Sequence, residues 1–224
     1  MNFRALTLGF LLTVFSAFFA TNAFAEPSQS GVDIRVSATV PIVGFSTTVE
    51  SSNSWSTYED KYDYDEWMVG FNGRLSVGYR FSVIGIYLDQ DLAWVKYNNE
   101  KNKDLDPYFL GGTYLTFRFL GVFNNLEFDL GLGLGAMYSN GDDLKAHTTH
   151  PAITVDSDGN ASPCFALKLA IEMTYFFTDH IGIGIDLDYA IGMSFLSYHD
   201  DGYRVSQTDY IHHFTPGLHV RYAF

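Results

Sequence analysis

Residues 127–138 read EFDLGLGLGAMY, and the two parities of this stretch differ in chemistry. Phe128, Leu130, Leu132, Leu134 and Ala136 form one row, and Glu127, Asp129, Gly131, Gly133 and Gly135 form the other. Successive side chains of a β-strand point to opposite faces. The stretch therefore has one wholly apolar face and one face of carboxylates and glycines. The same alternation recurs along the rest of the chain and restricts the fold more than any other feature. A chain with period two almost throughout is built of strands, each with one face for hydrocarbon and one for polar groups.

Seven further segments share the pattern. Over 32–44, Val32, Ile34, Val36, Ala38, Val40 and Ile42 oppose Asp33, Arg35, Ser37 and Thr39. Over 67–81, the row from Trp67 to Phe81 opposes Asn72, Arg74, Ser76 and Arg80. The segment 84–96 is the weakest, because Gln90 interrupts its apolar row opposite Asp89 and Asp91. Residues 108–119 set Phe109, Leu115, Phe117 and Phe119 against Tyr114, Thr116 and Arg118. Residues 164–177 set seven apolar side chains against Lys168 and Glu172. Residues 181–195 oppose Asp186, Asp188 and three glycines, and residues 213–224 oppose His213, His219 and Arg221.

Each segment is long enough to cross a bilayer as a tilted strand of about 9–11 residues. Strands of a water-soluble sandwich are typically about 5–6 residues. Long polar connections over 46–66, 97–107, 139–163 and 197–212 alternate with short ones over 82–83, 120–125 and 178–180. That asymmetry is the pattern of an outer-membrane barrel, with long loops outside and tight turns in the periplasm. The predicted fold is all-β: an eight-stranded antiparallel transmembrane up-and-down β-barrel over 26–224. It is expected to be a monomer in membrane lipid with both termini in the periplasm. Hydrocarbon offers backbone groups no partner, so the sheet must close on itself. Aromatics near the segment ends, Trp67, Trp94, Phe117, Tyr175 and Tyr222 among them, suit interfacial girdles.

The first 25 residues are set apart from the barrel. Arg4, the apolar stretch Ala5–Ala20 and the Ala23-Phe24-Ala25 exit read as a secretory signal peptide rather than an anchor. A net charge of −13 argues against nucleic acid as a partner. The single cysteine, Cys164, cannot form an internal disulfide and reads as a buried small apolar residue.

The full set of alternating segments, ending in GLHVRYAF, resembles the small outer-membrane barrels of the OmpA, OmpW and opacity-protein group. TDHIGIGIDLDYAIG over 178–192 is similar to the penultimate hairpin of that group, and the OmpW-like branch is the favoured match. The resemblance implies that the outer-membrane assembly machinery reads the last strand, here through Leu218, Val220, Tyr222 and Phe224. The plainer role of those four is lipid-facing packing, and both roles are compatible.

An eight-stranded barrel is just wide enough for side chains to fill it. The inward parity carries Arg35, Arg74, Arg80, Arg118, Lys168 and Arg221 with Asp33, Asp89, Asp91, Glu127, Asp129, Glu172, Asp186 and Asp188. Charges so enclosed persist only when paired. The expectation is an ion network that plugs the lumen, preferred over an ion-selective channel. Pro41 and Pro216 fall in the first and last strands, where proline gives the ladder no donor. They mark either an opening in that seam, as the OmpW-like resemblance implies for lateral release of small hydrophobic molecules, or a functionless bulge.

Other motifs are weaker. DSDGN over 156–160 starts like a calcium loop but lacks its later ligands, and reads as a turn. HTTH over 147–150, with Asp142 and Asp143, has metal-ligand types on no rigid scaffold, so neither a metal nor another cofactor is assigned. No spacing supports catalytic residues. Three functions stand in order. Passage of a small hydrophobic ligand comes first. A structural or adhesive barrel follows, whose loops bind host or environmental partners; YEDKYDYDEW at 58–67 reads most simply as a solvated surface and alternatively as a loop that binds a host protein. An outer-membrane enzyme is last.

Overall fold

A computed structural model describes residues 30–52, 57–97, 108–139, 164–200 and 203–224. The leader expected over 1–25, most of the connections expected over 97–107 and 139–163, and the HTTH and DSDGN motifs lie outside the described residues. The described chain forms β1 (Gly31–Thr39), β2 (Ile42–Ser52), β3 (Thr57–Phe81), β4 (Ile84–Tyr97) and β5 (Tyr108–Phe123). These are followed by β6 (Leu126–Ser139), β7 (Cys164–Phe176), β8 (Ile181–Asp200) and β9 (Tyr203–Ala223). Every pairing is antiparallel, and both β1 and β2 lie between β3 and β9, so the sheet closes. The architecture is an eight-stranded antiparallel barrel whose first stave is β1 and β2 end to end.

Pro41 causes that division without opening the wall. Thr39 faces Asn72 and Ile42 faces Val69, while Thr39 faces Gly217 and Ile42 faces Phe214, so the register is the same before and after the break. Val40 N–H donates to the Pro216 carbonyl at 2.9 Å, and Gly70 N–H donates to the Pro41 carbonyl at 3.3 Å. In each pair the return bond is the one whose N–H proline lacks. Of the two readings of Pro41 and Pro216, an opening of the seam or a functionless bulge, the opening is corrected: the ladder is closed, with a donor missing at each proline.

The wall is irregular elsewhere. Val43 pairs with Met68 and Phe45 with Tyr64, so Gly44 alone stands opposite the three residues 65–67. The Trp67 indole lies so close over Gly44 that a Cβ there would come within 2.8 Å of it. On the β9 side the same stretch is regular, with Gly44 opposite His212.

Three connections differ from the sequence expectation. Pairing runs through much of 46–66, from Ser46 opposite Asp63 to Ser52 opposite Thr57. It also runs through most of 197–212, up to Asp200 opposite Tyr203. These are tall hairpins rather than loops. At the other end, the connection expected over 120–125 shrinks to Asn124-Asn125, because Leu120–Phe123 stay in the ladder. Ser82 and Asn124 take positive φ in the two tightest turns, a conformation asparagine accepts more readily than serine.

The parities face as the alternation requires. Phe71, Leu88, Leu132, Leu134, Leu167, Ile183 and Leu218 point outward and are about half exposed. A belt of such residues encircles a barrel with no free sheet edge, which suits hydrocarbon and not water. The row Leu218, Val220, Tyr222 and Phe224 belongs to this outer face.

Candidate functional site

The interior is filled by side chains in two layers stacked along the barrel axis. The layer nearer the chain termini is ionic, and all the inward charges read from the sequence are buried in it. Arg35 from β1 pairs with Asp33, with Asp129 of β6 and with Glu172 of β7. Arg221 from β9 reaches Asp33 at 2.6 Å, Glu127 at 2.6 Å and Asp129 at 3.5 Å. Arg80 bonds Glu127 at 2.9 Å. Higher in the barrel, Lys168 lies 3.0 Å from Asp89, 3.5 Å from Asp91 and 3.2 Å from Asp188. Arg74 pairs with Asp91 and Asp188, and Arg118 with Asp89 and Glu172.

Glycines make room for this packing. The guanidinium groups of Arg35 and Arg118 both lie over the Tyr87 ring, each 4.7 Å from its centroid. Its hydroxyl donates to Asp33 at 2.8 Å. A Cβ at Gly78 would come within 2.3 Å of that ring, and one at Gly85 within 2.4 Å. Two neighbouring strands thus give up side chains to seat one aromatic against two cations, an arrangement favoured where water is excluded.

The second layer lies toward the tall hairpins. Val43, Met68, Ala93, Val95, Leu110, Tyr114, Met137, Cys164, Ala166, Ala190 and Ile211 form one buried apolar cluster. Cys164 is buried within it and takes part in no disulfide among the described residues. Tyr114 marks the boundary, with Lys168 Nζ 5.0 Å from its ring centroid. His213 is also buried at this level, and its Nε2 has no hydrogen-bond partner among the described residues.

Sequence reasoning placed the charges on the inner face but missed the apolar layer. The signal was present in each strand. Along β4 the inward parity runs Tyr87, Asp89, Asp91, Ala93, Val95, and along β6 it runs Glu127, Asp129, three glycines, Met137. The inward row thus changes from ionic to apolar toward the long connections. The row formed by Thr174, His219 and Asp186 was also missed. Thr174 Oγ1 lies 2.8 Å from His219 Nε2, and His219 Nδ1 lies 2.5 Å from Asp186 Oδ1. This is the order hydroxyl, imidazole, carboxylate of a nucleophilic site. All three residues are at most 2 % exposed, so no substrate reaches the hydroxyl.

No protein-family model matches the chain, and no curated protein matches it. Several solved outer-membrane barrels are similar to it. Neisserial surface protein A is 16% identical over 84% of this chain and 99% of its own, with a TM-score of 0.40. The outer-membrane protein OprG from Pseudomonas aeruginosa is 10% identical over 87% and 97%, with a TM-score of 0.49. Ail, the attachment invasion locus protein of Yersinia pestis, is 13% identical over 84% and 99%, with a TM-score of 0.26. Likeness at this level carries no argument, and both fold and function rest on this chain's own residues.

Proposed function

We propose that this chain is an OmpW-like barrel of a bacterial outer membrane that takes small hydrophobic molecules into its apolar layer and releases them sideways into the bilayer. The division of the lumen carries this reading. With the termini in the periplasm, the apolar layer faces outward and the ionic layer faces inward. A small apolar molecule gains about 25 cal/mol for each Å² it buries in the outer layer. It cannot continue downward, because separating a buried ion pair costs about 3–5 kcal/mol. The remaining way out is through the wall at the height of the apolar cluster. There the β2–β3 ladder loses its register beside Gly44, and Val43 and Met68 belong both to the cluster and to the edge of that irregularity.

The test is uptake of a small aromatic hydrocarbon by cells carrying the wild-type barrel or Leu110→Glu. A charge in the apolar layer should lower uptake at least about tenfold while the barrel still folds. Uptake equal to wild type by a folded L110E barrel overturns the reading.

A second reading rests on the height of the hairpins. β3 spans 25 residues, β8 spans 20 and β9 spans 21, whereas crossing a bilayer takes about 9–11. The excess forms a stalk suited to binding a host protein, and shortening it tests that role without touching the lumen. The outward row Leu218, Val220, Tyr222 and Phe224 is the strand edge we assign to recognition by the assembly machinery.

A further inference from the structure

Seven of the eight lumen carboxylates each touch two cationic side chains. Asp33, Asp129 and Glu172 share Arg35 with a second arginine, Glu127 lies between Arg80 and Arg221, and Asp89, Asp91 and Asp188 share Lys168 with an arginine. Asp186 is the exception. Among the described residues its one ionic partner is His219, and its Oδ2 is buried with no hydrogen-bond partner. Eight carboxylates face six arginines and lysines in a water-poor interior, which leaves an excess of negative charge. An uncompensated charge there is costly, so something positive belongs beside Asp186.

The geometry points to a divalent transition cation held by Asp186, His219 and Glu172. One ligand atom from each of these residues lies within 4.8 Å of the others, against about 3.3–3.6 Å between ligands on a tetrahedral ion with bonds of about 2.0–2.2 Å, so the side chains draw in by about an ångström to close on the metal. One imidazole and two carboxylates form a donor set of the zinc and manganese class rather than the all-oxygen set of calcium. The surroundings supply the outer partners such a site needs. Thr174 Oγ1 lies 2.8 Å from His219 Nε2; in the tautomer that carries its proton on Nε2 the threonine oxygen accepts it, and Nδ1, which faces Asp186, is then the ligand nitrogen. Arg35 and Arg118 hold Glu172, and each carboxylate oxygen keeps a second lone pair. A Cβ at Gly184 would come within 2.5 Å of the His219 ring, so the imidazole has its place only because residue 184 has no side chain. The ion would join β7, β8 and β9 through one residue each, as a structural staple at the closing strand. It does not depend on what passes through the apolar layer.

The barrel is refolded in detergent with zinc or manganese, freed of loose metal, and assayed for bound metal and for its unfolding temperature. The wild type should retain about one equivalent and unfold at a higher temperature than the metal-free protein. Asp186→Asn and His219→Gln should each fold and lose at least about nine-tenths of that metal. Asp188→Asn, which alters a carboxylate already held by Arg74 and Lys168, should keep it. A folded wild-type barrel that retains neither metal overturns the inference. Metal retained equally by D186N places the ion elsewhere and also overturns it.

Discussion

The two halves of the lumen face the same wall and follow opposite rules. In the ionic half, each buried charge is tied to partners on other strands, and Arg221 alone joins β9 to β1 and β6. In the apolar half, Val95, Leu110, Met137 and Ile211 meet through dispersion and burial, which tolerate rearrangement. Removing one partner of a buried pair strands a charge. Removing one methyl group leaves only a small void. The ionic half therefore acts as a fixed floor, and the apolar half as the part that can yield to a guest.

That contrast is open to attack at several points. The largest effect should come from Arg35→Ala, which takes one of two cationic partners from three carboxylates at once and should cost about 3–5 kcal/mol in urea unfolding of the detergent-folded barrel. A loss near zero would mean that the floor is not held by ion pairs. On the outer face, Leu132→Arg should cost about 2–4 kcal/mol in lipid vesicles, and a negligible cost there would mean that Leu132 does not face hydrocarbon. In the apolar half, Leu110→Ala should cost about 2 kcal/mol, the low end of the range for such truncations. A cost of about 5 kcal/mol would mean a tightly locked layer with no room for a ligand. The smallest effect belongs to the seam. Pro216→Ala restores a ladder donor and loosens the unfolded chain, opposing terms of about 1 kcal/mol or less each. Stability and hydrocarbon uptake should both be nearly unchanged, and a clear loss of uptake would return the exit to the proline seam.

Much of this was legible because a strand sorts its side chains by parity, a property visible one residue at a time. Leu132 and Asp129 show their faces without any knowledge of neighbouring strands. Gln90 was read as an interruption, and it does sit on the outer face. There its amide is satisfied by Tyr138 Oη at 2.6 Å and by Thr113, whose hydroxyl donates to it at 2.7 Å. Those partners come from other strands, and no local pattern announces them. The apolar layer and the Asp186 cluster depend on height along the axis, which register and shear determine. Pro41 misled for a related reason. Its missing N–H is certain from sequence, but whether the ladder survives around it depends on Gly70 and Pro216 holding their places across the gap.

The bond from Arg221 to Asp33 joins residues 188 positions apart. Until β9 arrives, Asp33, Glu127 and Asp129 lack one of their guanidinium partners. A partly built barrel therefore stays wet inside, and drying it out has to wait for the final strand. Closure then becomes a single late event. A chain truncated before Arg221 should stall as an open, protease-sensitive sheet rather than settle into a smaller barrel.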